Sequence, residues 1–135
     1  MRIGAAYIRV STDDQLDISP ESQLDEIQRY AKSHDILIPE EYIFMERTGR
    51  SGKRADNRPE FQRMMEDIYK GKIQGVITKD ISRLGREHIE TSNYIERVFP
   101  SLGVRYIAIL DGVDSVHHSN EELAQFKVGG QAVLG

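Results

Sequence analysis

Four short apolar runs, Ile3–Val10, Tyr42–Met45, Gly75–Thr78 and Val104–Leu110, punctuate the chain, and a longer segment of different period separates each from the next. The separators repeat their apolar residues at helical spacing, so the order reads strand, helix, strand, helix, strand, helix, strand. Strands joined by helical crossovers pair in parallel, and a parallel sheet has to be covered on both faces. The expected fold is therefore α/β: a three-layer domain with a central, mainly parallel sheet flanked by helices.

The helices carry their own start and stop signals. Ser19-Pro20 pairs a good N-cap with proline at the first helical position, where its missing N–H costs nothing. The helix it opens is expected to run to about His34, with Leu24, Ile27 and Ala31 as its apolar stripe and Ser22 and Gln23 in its first turn. Pro39 ends the connection to the second strand. Arg58-Pro59 opens the next helix, whose Phe61, Met64, Met65 and Ile68 fall at i, i+3, i+4 and i+7. Those methionines read as core filler. Gly71 closes that helix. A third begins near His88 with Ile95, Val98, Phe99 and Leu102 on one face, and Pro100 is expected to kink or end its last turn. Asn120 is expected to cap a final helix through Glu121, Glu122, Leu123 and Phe126. Glu46–Asn57, with two glycines, four basic side chains and no periodicity, reads as a mobile loop, and Asp111–Ser119 as a polar one.

With 135 residues the chain suits a single domain able to bury a core. It has no cysteine, so no disulfide framework supports it. The first residues are strand-like and lack a basic-then-apolar leader, and no apolar run approaches the ~20 residues of a membrane span. A cytoplasmic location is expected. The net charge of -4 carries no overall basic footprint, so a polyanion would have to meet a local cluster. Two are present: Arg47, Arg50, Lys53, Arg54 and Arg58, and then Lys79, Arg83 and Arg86.

In open parallel sheets, sites form beyond the carboxyl ends of the strands. Ser11, the Glu46–Arg58 segment, the Arg83/Arg86 turn and Asp111 all follow strands. Alternation puts Tyr7, Arg9 and Ser11 on one face of the first strand. Arg83 and Arg86, three apart, would point the same way on a helical turn. Dinucleotide and Walker-type glycine motifs are absent, as is a nucleophile elbow around Ser11. None of His34, His88, His117 or His118 ends a strand where it could serve Ser11 as a base. Asp80, Asp111 and Asp114 leave a metal-dependent nuclease open as an alternative, provided the three carboxylates converge. Arginines at strand ends suit a phosphodiester better, because guanidinium forks neutralise the charge that develops on nonbridging oxygens. A non-catalytic interaction module on the same fold is the remaining alternative.

The motifs Tyr7-Ile8-Arg9-Val10-Ser11-Thr12, Ser22-Gln23, the basic loop ending in Arg58-Pro59, and Ser82-Arg83-Leu84-Gly85-Arg86 together resemble the catalytic domain of the serine recombinases, the resolvase and invertase group. Within it the chain is most similar to the large members found in mobile elements. The resemblance covers residues 1–127. It implies site-specific DNA strand exchange through a 5′-phosphoserine intermediate, without metal or nucleotide cofactor, by homodimers that assemble into tetramers on DNA. It also implies roles. Ser11 would be the nucleophile; Arg9, Arg58, Arg83 and Arg86 would hold phosphate; Tyr7 and Gln23 would support the site; Gln15, Ser82 and Ser22 are further possible members. Relatives often carry aspartate where Ser82 stands, so the leaving-group acid stays open. Residues 128–135, rich in glycine, depart from the long helix of relatives, and the expectation is a domain cut short or ending in foreign sequence.

Overall fold

The computed structural model describes residues 2–11, 19–48, 58–85, 87–116, 126–127 and 131–132, with backbone only for 11, 48, 126–127 and 131–132. Strand β1 (Arg2–Ser11) is the centre of the sheet. One of its edges pairs with β2 (Ile36–Leu37) near its start and then with β3 (Ile43–Thr48) near its end, both parallel. Its other edge pairs with β4 (Gly75–Thr78), which pairs in turn with β5 (Arg105–Ala108), again in parallel. The short β6 (Val113–Asp114) closes that side antiparallel to β5. The sheet is thus mixed and mainly parallel, as expected.

Alternation along β1 sorts the core into two layers. Ala6 and Ile8 face α1 (Pro20–Ser33) and its Ile27 and Ala31. Ala5 and Tyr7 face the opposite layer, built from α2 (Pro59–Tyr69) with Phe61, Met64, Met65 and Ile68, and from a helical run that supplies Ile95 and Phe99. That run comprises α4 (His88–Asn93), a π-helical stretch (Tyr94–Val98) and α5 (Phe99–Ser101). Pro100 has no N–H for the helical ladder, and the hydrogen bonding widens just ahead of it: the Phe99 N–H reaches back to the Tyr94 carbonyl.

The helix starts follow the sequence. The Ser19 hydroxyl accepts the Ser22 N–H at 3.2 Å, capping α1. Gly71 ends α2 at a φ of 76°, a left-handed conformation that glycine adopts without strain. Elsewhere the structure corrects the sequence. β2 was not expected, being a two-residue run after the Asp35 turn. β3 begins at Ile43 and runs through Thr48, so Glu46 and Arg47 belong to a strand, not to the start of a loop. Asp111–Ser119 is likewise interrupted by β6. Phe126 does not lie in a final helix. Phe126–Lys127 (β7) pairs antiparallel with Gln131–Ala132 (β8), and the Gly129-Gly130 sequence between them disfavours helix. Asn120 to Leu123 lie outside the described residues. Among the described residues no helix is long and apolar enough to cross a membrane.

Candidate active site

The site starts from an overhang. The last β1–β4 pair is Ala6↔Ile77 and β4 ends one residue later at Thr78, so β1 continues towards Ser11 beyond its pairing with β4. The chain leaving β4 turns across that uncovered stretch. Asp80 caps the turn, its Oδ1 accepting the Arg83 N–H at 3.1 Å, and α3 (Ile81–Leu84) packs on β1. Asp111 holds the same turn from the other side, accepting the Ile81 N–H at 2.7 Å.

Three of the expected residues meet there. Arg9 is 1% exposed, and its Nε donates to the Arg83 carbonyl at 3.3 Å while Nη2 donates to the Ser82 carbonyl. Arg83 returns the contact, Nη1 donating to the Arg9 carbonyl at 3.1 Å. Gln23, buried on α1, donates to that same carbonyl at 3.4 Å. Strand, first helix and α3 are thus tied together two residues before Ser11, which is the last β1 residue and pairs with Thr48.

Arg58 joins from the N-cap of α2 and is equally buried. Its Nη1 donates to the Leu84 carbonyl and, at 3.4 Å, to the Tyr7 hydroxyl; its Nη2 lies 3.4 Å from Glu90 Oε1. The guanidinium also stacks 4.2 Å from the Phe61 ring centre, a favourable cation–π arrangement. The carbonyls of Ser82, Arg83 and Leu84 therefore all receive arginine N–H groups. A helix end leaves its last carbonyls without partners: the Gly85 N–H donates the last helical bond, to the Ile81 carbonyl at 3.4 Å, and its extended backbone at φ 177° stops the ladder there. Arg9 and Arg58 take the place of the missing turn.

Glu46 is the site residue that sequence reasoning missed. It is 3% exposed, with Oε1 accepting from the Tyr7 hydroxyl at 3.1 Å and the Phe61 N–H at 2.9 Å, and Oε2 accepting from the Glu60 N–H at 3.2 Å. A carboxylate at a helix N-terminus satisfies orphan donors and meets the positive end of the dipole. The signal was present: Phe44 and Glu46 share a strand face, and the register Tyr7↔Phe44, Arg9↔Glu46 turns that face to the same layer. Burial raises the Tyr7 phenol well above its ordinary pKa; the Arg58 charge opposes that shift and Glu46 adds to it. Tyr7 is thus a neutral hydroxyl, donating to Glu46 and accepting from Arg58.

The other expected members divide. The Ser82 hydroxyl donates to Asp80 Oδ1 at 2.5 Å, and Ser22 belongs to the α1 cap, its hydroxyl 3.1 Å from that of Ser19. Gln15 and Arg86 lie outside the described residues. The helical turn that was expected to align Arg83 with Arg86 stops at Leu84, because Gly85 is extended. The acids of the nuclease alternative have separate tasks: Asp80 and Asp111 hold α3, and Asp114 grips Arg105 through two bonds of 2.9 and 2.6 Å. Among the described residues, no three His or acidic side chains converge as a metal site would require. His34 stacks on Tyr30, ring centres 3.9 Å apart, and His88 is exposed. His117 and His118 lie outside the described residues.

Residues 4–131 match the family model described as "Resolvase, N terminal domain", and the chain belongs to that family, the serine recombinase catalytic domains. Among solved structures, it is similar to a resolvase family site-specific recombinase from Streptococcus pneumoniae, with 27% identity, a TM-score of 0.71, and 92% of this chain and 84% of that one covered. The N-terminal catalytic domain of TP901-1 integrase shares the fold at 24% identity and a TM-score of 0.71, covering 85% of this chain and 82% of that one. So does the C-terminal catalytic domain of ISC1926 TnpA, an IS607-like serine recombinase, at 23% identity and a TM-score of 0.64, covering 79% and 70%. No curated protein matches the chain.

Proposed function

We propose that the chain is the catalytic domain of a site-specific DNA recombinase whose nucleophile is Ser11. The Ser11 hydroxyl oxygen attacks a backbone phosphorus in line with the bridging 3′ oxygen. The P–O3′ bond breaks, the serine proton is given up, and the departing 3′ oxygen takes up a proton to become a free hydroxyl. The phosphate stays on Ser11 as a 5′-phosphoserine ester, and attack by a 3′ hydroxyl of the exchanged partner reverses the step. The ester keeps the energy of the broken bond, so rejoining needs no nucleotide.

The observation that carries this reading is the meeting of Arg9, Arg83 and Gln23 at the Arg9 carbonyl, beside the strand end that holds Ser11. In this reading Arg9 and Arg58 exchange the Ser82–Leu84 carbonyls for phosphate oxygens when DNA arrives, Arg83 turns a guanidinium N–H to the same phosphate, and Arg86 completes the set. Each preorganised donor is worth about 10²–10³ in rate by analogy with oxyanion sites. DNA is the partner, met by dimers that become tetramers for strand exchange. The net charge of -4 keeps the chain's own hold on DNA weak and salt-sensitive.

A duplex nicked near the exchange point traps the intermediate, because the cut strand's short end diffuses away. Wild type is expected to form a covalent protein–DNA adduct, sensitive to protease and insensitive to chelator, which Ser11→Ala abolishes. An adduct that survives Ser11→Ala would remove Ser11 from its role, and chelator-sensitive cleavage without any adduct would favour a nuclease.

A further inference from the structure

Lys79 belongs to the second basic cluster of the sequence, yet it takes no part in the arginine contacts around Arg9. It directly follows β4, and its carbonyl accepts the Leu110 N–H at 2.8 Å, which fixes its backbone to the neighbouring strand connection. Its side chain, only 7% exposed, crosses to the α1 layer and ends 2.8 Å from Glu26 Oε1, whose own side chain is 42% exposed. A lysine taken this far out of water demands a partner, and Glu26 is the one it has among the described residues.

The placement of the two residues gives the pair a consequence. Glu26 lies three positions after Gln23 on α1, so both sit on the same side of that helix. Gln23 reaches the Arg9 carbonyl. Lys79 immediately precedes Asp80, which caps the α3 turn whose Arg83 reaches that carbonyl too. α1 and the β4–α3 turn thus approach Arg9 from two sides, and the ion pair spans them directly. We propose that Lys79 and Glu26 are positioning residues for strand cleavage: their pair sets α1 against the α3 turn so that Gln23 and Arg83 converge on Arg9 beside Ser11. Neither touches the reacting phosphate. The proposal rests on the reading of this site as the recombinase centre, but its geometric half stands apart from that reading.

Two readouts separate the halves. The first uses the chain alone: the side-chain amide signal of Gln23 in 15N-labelled protein reports its bond to Arg9. In Glu26→Gln, a change at a half-exposed position that should leave the fold intact, and in Lys79→Met, that signal is expected to move towards the value of a solvated glutamine. The second is single-turnover adduct formation on the nicked duplex. Each variant is expected to lose about tenfold in rate at saturating DNA, with the half-saturating DNA concentration unchanged. The charge swap Lys79→Glu with Glu26→Lys is expected to recover most of the rate and the Gln23 signal. An unmoved Gln23 signal in both single variants overturns the proposal, as does a loss confined to DNA affinity or a swap no better than the singles. If wild type forms no adduct while the Gln23 signal moves as expected, the positioning stands and the recombinase reading fails.

Discussion

Replacing Glu46 by Gln tests how the buried cluster is held. The carboxylate accepts three hydrogen bonds, two at Oε1 and one at Oε2. An amide offers one oxygen. Set at the Oε1 position, that oxygen keeps Tyr7 and Phe61 but turns an NH₂ group against the Glu60 N–H; set at Oε2, it loses two donors instead. The better orientation forfeits one charge-assisted bond and leaves one helix-end donor facing another. Hydrogen bonds to charged groups are worth about 1.5–3 kcal/mol, so Glu46→Gln should cost about 2 kcal/mol. For a domain of this size that lowers Tm by about 8 °C. Glu46→Ala abandons all three donors and should cost about 3–5 kcal/mol. Urea unfolding followed by circular dichroism measures both, with an unchanged m-value showing that the denatured state is unaffected. Adding Tyr7→Phe closes a double-mutant cycle, in which a coupling of about 1 kcal/mol between positions 7 and 46 is expected. A Glu46→Gln variant within about 0.5 kcal/mol of wild type, or a coupling indistinguishable from zero, would refute the reasoning.

Two further outcomes follow from the same packing. Tyr7 and Tyr106 are both buried and titrate above their unfolded value of 10.0, so above that pH the unfolded chain releases protons that the folded chain keeps. Their contribution is complete well below pH 10 and falls as pH rises, by about 1.4 kcal/mol in total for each phenol between pH 9 and 11; urea midpoints across that range should show it, and Tyr106→Phe should remove one phenol's share of the fall. At Gly85 an added Cβ would stand 2.5 Å from Thr91 Oγ1, inside van der Waals contact. Gly85→Ala should cost about 1–3 kcal/mol by overpacking, and Thr91→Ala in the same chain should return much of that, which thermal melts of the single and double variants will show.

Much of the fold was legible because periodicity is a local property. Ile27 and Ala31 on one helix, and Phe61, Met64, Met65 and Ile68 on another, are buried where their spacing places them, and Ser19-Pro20 and Arg58-Pro59 begin helices. What failed was local signal of the wrong length. A two-residue strand such as β2 or β6 has no period to read, and the basic residues after Met45 disguised Glu46 as loop although it continues the alternation of Phe44. Gly85 likewise broke the turn on which Arg83 and Arg86 were expected to align.

By itself the sequence determined which residue types were available: a serine at a strand end, arginines at positions 9, 58 and 83, and apolar faces that force a sheet between two layers of helices. Only the tertiary structure decided how they meet. β1 outruns β4 by a register that no local pattern encodes, α3 fills the gap, and its three last carbonyls draw Arg9 and Arg58 inward. Those bonds join residues dozens of positions apart, and their geometry depends on strand register and helix docking, which the whole core sets together.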